Sequence, residues 1–138
     1  MTHGAWAEAA VPTGTRVGRW SVVDGHAMRR VRAEVAAEAS GADEAYLATS
    51  PARRLELVCS ELVSNALRHG GAPVQVTLFR VGDQWVVDVA DGSPSPPAPR
   101  AAGQFDDGGR GLLIIARLAG RYGWTVTNGV KHVWAEVA

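Results

Sequence analysis

Three groups of residues in this chain have the types and the spacing to do chemistry. Glu61, Asn65 and His69 stand four apart, and in a helix that spacing lines them along one slowly drifting stripe. The stripe offers a carboxylate that can take a proton, an amide oxygen that can meet a cation, and an imidazole. Taken alone, the same spacing more often describes a solvated helix face, ended by a residue whose cationic form suits the helix carboxyl terminus. Asp91 closes an apolar run and precedes Gly92. Its carboxylate can accept hydrogen bonds from an amine, although Asp-Gly is also a common turn. Gly108-Gly109-Arg110-Gly111 opens another apolar run. Glycines there let the backbone approach an anion, a helix amino terminus supplies unsatisfied N–H groups, and Arg110 adds a guanidinium. From these four residues alone, a hinge for a long loop reads equally well.

The surrounding pattern predicts the elements that must hold these groups. The polar stripe belongs to a helix beginning at Ser50-Pro51, with serine as cap and proline at the first helical position. It runs through PARRLELVCSELVSNALRH and stops at Gly70-Gly71. Leu55, Val58, Leu62 and Ala66 form its core stripe. An earlier helix spans about His26 to Ala39, with Met28, Val31, Val35 and Ala39 inward and Arg29, Arg30, Arg32 and Glu34 on its wetter sides. Strands are predicted over Val17–Val23, Val74–Val81, Trp85–Ala90, Trp124–Thr127 and Lys131–Val137, with hairpin turns at Gly82-Asp83 and Asn128-Gly129. Gly111–Tyr122 reads as a helix. Proline and glycine between Asp91 and Gly109 preclude regular structure there, and a loop that long in a small domain is usually a lid or disordered. Residues 1–16 lack periodicity and read as a loose tail, which leaves 17–138 as one domain. This order of elements predicts an α+β two-layer sandwich, a mixed β-sheet with helices on one face.

Bulk properties narrow the function. At 138 residues the chain suits one core. Fourteen basic side chains balance fourteen acidic ones, so the basic surplus of a protein that grips nucleic-acid phosphates is missing and direct nucleic-acid binding is not expected. Lys131 is the sole lysine, so phosphate contacts would fall to arginine, backbone N–H groups or a metal. The Walker loop with its Gly-Lys-Ser/Thr is absent. Cys59 is the single cysteine, which rules out an internal disulfide and a cysteine zinc cluster and predicts a buried, inert thiol. The amino terminus lacks the basic start and long apolar run of a signal peptide. The longest apolar stretch, Leu112–Ala116, is too short to cross a membrane. No membrane contact and a cytoplasmic location are expected.

Taken in order, E-x-x-x-N-x-x-x-H on a helix, D-x-S-x-x-P after a strand and G-R-G-L before a helix form one signature. It resembles the Bergerat-type nucleotide-binding fold shared by histidine-kinase catalytic domains, type II topoisomerases, a class of heat-shock chaperones and anti-sigma factor kinases. The resemblance spans about Val22 to Val137, and the short chain with its ELVSNALRHG is most similar to the stand-alone anti-sigma branch. It implies ATP and magnesium as ligands. Asn65 would offer its amide oxygen to magnesium, and Glu61 would orient or deprotonate an attacking hydroxyl. Asp91 would recognise the adenine amine, with Ser93 in the same motif and His69 ending the helical one. Gly109, Arg110, Gly111 and Leu112 would close over the phosphates, and about 92–109 would act as a flexible lid.

The chain departs from that pattern in three places. Many relatives carry D-x-G-x-G where Asp91-Gly92-Ser93-Pro94-Ser95 stands here; Asp107 replaces an arginine; and His132 takes the place of a threonine expected near the adenine. The resemblance implies an anti-sigma factor with serine/threonine kinase activity, whose partners would be a sigma factor and a small antagonist protein, with homodimerisation common in the branch. The departures motivate an alternative, a nucleotide-gated binding module that transfers no phosphate.

Overall fold

Val74, Val76 and Leu78 alternate with Gln75, Thr77 and Phe79, the period-two pattern of a strand that buries one face. They form the body of β2 (Val74–Val81) in a computed structural model that describes residues 6–40, 51–69, 73–92 and 114–138, apart from the side chains of 39, 40 and 69. β2 turns through Gly82, at a φ of 60°, into β3 (Gln84–Asp91). The hairpin between β4 (Arg121–Thr127) and β5 (Val130–Val137) turns on Asn128 and Gly129. Their φ values of 54° and 76° are the double positive pair that matches strand twist in a two-residue turn. With β1 (Thr15–Val22) these strands lie in the order β1-β2-β3-β5-β4, antiparallel at every step. Among the described residues, parallel pairing is confined to an isolated bridge between Glu8 and Trp124.

Two helices cover one face of this sheet. α1 (Gly25–Ser40) starts where the Asp24 carboxylate accepts the Ala27 N–H at 2.8 Å, a side-chain cap for an otherwise orphan donor. α2 (Pro51–His69) lies over β3, β5 and β2, with α1 beside it and against β1. Val31 and Val35 of α1 and Leu55, Val58, Leu62 and Ala66 of α2 share one buried cluster with Val76, Leu78, Val87, Val89, Val133 and Ala135 of the sheet. Apart from Ala39, whose side chain is outside the described residues, the amphipathic stripes read from the sequence are the ones that pack. The fold is the expected α+β two-layer sandwich. Its sheet, predicted to be mixed, is antiparallel among the described strands, because β2–β3 and β4–β5 are hairpins and β1 and β5 also join their neighbours antiparallel.

The structure corrects two boundaries. Residues 6–14 are not a loose tail: Trp6 is buried in the core and its ring meets that of Tyr122 at 4.6 Å. The segment is tied to β4 by Trp124 N→Ala7 O and Ala9 N→Trp124 O, and the indoles of Trp124 and Trp134 donate to the carbonyls of Trp6 and Ala9. The helix predicted over Gly111–Tyr122 is helical over 114–118 within the described residues and has ended before Arg121, where β4 begins. Ala119 N→Ile115 O is its closing bond, and Gly120 N already donates to Glu136 O of β5. Arg121 then makes a two-pronged contact with the Glu136 carboxylate at 2.7 and 3.0 Å, which fixes the strand register.

Candidate functional site

Glu61 and Asn65 of the α2 polar stripe and the Asp91 carboxylate of β3 lie toward one end of the sandwich. Alternation along β3 carries Val87, Val89 and Asp91 to one face, and the first two are core residues. Asp91 therefore points toward the helix layer at the last position of its strand, where it is 3% exposed. Gln75 pairs with Ala90, so the start of β2 stands level with Asp91. α2 ends at His69 and β2 begins at Val74, a link that cannot span more than about 18 Å. The last turns of α2 are thus held over the Asp91 end of the sheet. Asn65 lies one turn before that end and is buried, while Glu61 is half-buried one turn further back.

Burial of the Asn65 amide and the Asp91 carboxylate is the property that separates a site from a solvated face, because buried polar groups need partners. This donor set fits a nucleotide with magnesium. An amide oxygen and a carboxylate on facing layers can meet a hydrated cation and an amine respectively. Among the described residues no group of three or more histidine, cysteine, aspartate or glutamate side chains could cage a metal, so magnesium would have to share its coordination with phosphate and water.

Lys131 belongs to this site although its lone occurrence carried no assigned role. It pairs with Asp91 across β3 and β5, and its ammonium lies 3.6 Å from Asp91 Oδ2 with both side chains almost completely buried. The signal was available in principle: a hairpin turning on Asn128-Gly129 sends residue 131 to the face of Val133 and Ala135.

The same register moves His132 out of the site. Expected near the adenine, it faces the opposite side of the sheet, where its Nδ1 lies 2.9 and 3.2 Å from the two Asp88 carboxylate oxygens. That hydrogen bond raises the His132 pKa, partly opposed by burial. Asp88 and His132 border a cavity of about 400 Å³ with Thr125, Thr127 and Phe79, roofed by residues 10–14. The threonine-to-histidine difference thus falls on the sheet face away from Asp91.

Of the other expected site residues, Ser93, Gly109, Arg110, Gly111 and Leu112 lie outside the described residues, as do the His69 side chain, Asp107 and all of the expected lid beyond Gly92. No helix among the described residues is long and apolar enough to cross a membrane.

Comparison with known proteins agrees with this geometry. Residues 23–136 match the model of the histidine kinase-like ATPase domain. A stretch of 54 residues, 39% of this chain, is 39% identical to the signal transduction histidine-protein kinase AfsQ2 of Streptomyces coelicolor. That stretch covers 10% of the kinase's own length. With the family match running from the end of β1 through β5, the chain belongs to the histidine kinase-like ATPase family.

Proposed function

We propose that this protein binds ATP with magnesium at the Asn65–Asp91 end of the sandwich and uses it to regulate transcription as an anti-sigma factor with serine/threonine kinase activity. The observation that carries the nucleotide reading is the burial of Asn65 and Asp91 on facing layers at one end of the fold. Asn65 would hold magnesium through its amide oxygen, and Asp91 would accept the adenine amine. Glu61 stands one helical turn from Asn65, so a hydroxyl brought to the metal-bound phosphates would lie within reach of its carboxylate as proton acceptor. The substrate would be a serine on a small antagonist protein, and the sigma factor would be bound in the ATP state.

The test is calorimetric titration with Mg·ATP. Wild type should bind, and Asn65→Ala and Asp91→Asn should each weaken binding by about tenfold or more, the scale of losing one charged or metal-linked contact. Wild type that binds no nucleotide with or without magnesium would overturn the reading.

A second reading, a nucleotide-gated binding module, is favoured by Asp107 and by the Gly92-Ser93-Pro94-Ser95 lid base. Glu61→Ala separates the two. In a kinase it abolishes phosphate transfer to the antagonist while ATP still binds. In a sensor, wild type and variant both transfer nothing, and both change partner affinity when ATP is added.

A further inference from the structure

We propose that the cavity beneath residues 10–14, on the sheet face away from Asp91, binds a small organic acid, its flat apolar body under that segment and its carboxylate at His132. This site goes beyond the nucleotide reading and stands or falls independently of it.

The cavity follows from how the amino-terminal segment crosses the sheet. Ala9 is fixed at one edge, by its N–H to Trp124 O of β4 and by its carbonyl to the Trp134 indole. Thr15 is fixed at the other edge, where β1 pairs with β2. The strand order places β4 and β1 at opposite ends of the sheet. Four strand spacings come to about 19 Å, and the chain from Ala9 to Thr15 can reach only about 20–22 Å. The segment is therefore close to taut and spans the face without settling into it. About 400 Å³ remains below it, a volume within the range of small-molecule sites.

The lining is divided by chemistry. Val11, Pro12 and Phe79 give an apolar wall, while His132, Thr125 and Thr127 form a polar corner with Asp88. Register builds that corner: Thr125 pairs with His132 across β4 and β5, and Asp88 stands two residues before Ala90, the partner of His132 on β3. Asp88 is buried, and its two oxygens lie 2.9 and 3.2 Å from His132 Nδ1. The carboxylate is thereby committed to the ring, and among the described residues Nε2 is the imidazole nitrogen left for a ligand. With the ring protonated, Nε2–H and the two threonine hydroxyls can all donate, and the Asp88 charge is already balanced. The hydrogen bond from Asp88 favours that protonated form. Residues 10–14 carry no ionisable side chain and the two β4 residues are uncharged threonines. The charges acting on the ring are therefore Asp88 and, from the far face of the sheet, Asp91 beside Lys131. A corner of donors next to an apolar wall fits a carboxylate on a flat apolar body, whereas an amine would meet a carboxylate already engaged.

The test titrates wild-type protein with 2-naphthoate, with 2-naphthylmethanol, which keeps the body and lacks the charge, and with acetate, which does the reverse. Backbone amide NMR shifts locate the binding. 2-Naphthoate should shift Val11, Thr13, Thr125, Thr127 and His132 saturably and leave Asn65 unmoved. It should bind about tenfold or more tightly than either comparison compound, the scale of a hydrogen bond between charged partners. Its affinity should fall as pH rises through the raised native pKa of His132, because the carboxylate stays ionised while the imidazolium loses its charge. In His132→Gln, both the preference for acid over alcohol and the pH dependence should vanish. Equal binding of acid and alcohol by wild type overturns the proposal, since apolar contact alone would then account for it. So does a lack of saturable shifts with 2-naphthoate, shifts confined to other regions, or an acid preference that survives undiminished in His132→Gln.

Discussion

His132 and Cys59 show how a single atom's surroundings decide what a residue does. Asp88 holds the His132 pKa above its ordinary value through a hydrogen bond to Nδ1. A group raised on folding adds stability that is complete below its unfolded pKa of about 6.5 and disappears as pH climbs through the raised native value. Urea midpoints of wild type should therefore fall with pH above about 6.5, relative to those of His132→Gln, which lacks the titrating group. Parallel pH profiles for the two proteins would count against the pairing. Burial pushes the Cys59 thiol up to about 12, more than the Arg32 charge lowers it. At pH 8 the native thiol should react with a disulfide reagent only as fast as the protein opens, and full speed should return in urea. At this scale the sequence was legible where placement follows spacing, as with Asn65 and Asp91, both of which are buried. It was harder to read where placement follows register: only the alternation that puts residue 131 on the face of Val133 and Ala135 tells that Lys131, and not His132, faces the helix layer. The threonine position of the family pattern drew attention to the wrong neighbour.

Elements were read well wherever one face is apolar throughout. Both long helices and the β2–β3 and β4–β5 hairpins follow from their stripes and turns, because period and turn chemistry are local properties. Misreadings fall where tertiary contact overrides local pattern. Leu118, Ala119 and Tyr122 continue a helical periodicity, but Gly120 and the Arg121–Glu136 clasp convert the last part of it into β4. Residues 6–14 have no periodicity at all, and they are held by individual contacts. Gly123 marks one of these: a Cβ there would stand 3.1 Å from Ala7 O and from the Trp134 ring, so its absence lets the segment lie against β4. The anchor is Trp6, 6% exposed. Trp6→Ala should lower unfolding stability by about 3 kcal/mol or more, as for other large aromatic truncations in a core, measured by urea denaturation. A loss within about 0.5 kcal/mol, the usual range for a surface position, would return the segment to the status of a tail.

At the scale of the whole molecule, the sheet serves two separate purposes on its two faces. The helix-facing side carries the core and ends in Asp91 and Lys131, while the other side carries Asp88 and His132 beneath the amino-terminal segment. A nucleotide held by Asn65 from α2 and by Asp91 from β3 would bridge the helix layer and the sheet layer. Among the described residues these layers are joined by the side-chain packing of the core. Ligand that binds only the folded state stabilises it by about 2.7 kcal/mol at a hundredfold excess over Kd. In a chain of this size that shift should raise the melting temperature by roughly 8 °C. Thermal denaturation followed with and without Mg·ATP checks it. Asp91→Asn should lose most of the increase, and His132→Gln, altered on the opposite face, should keep it. An equal loss in both variants would mean that the two faces are coupled through the β3–β5 pair, and the division of labour between them would then be wrong.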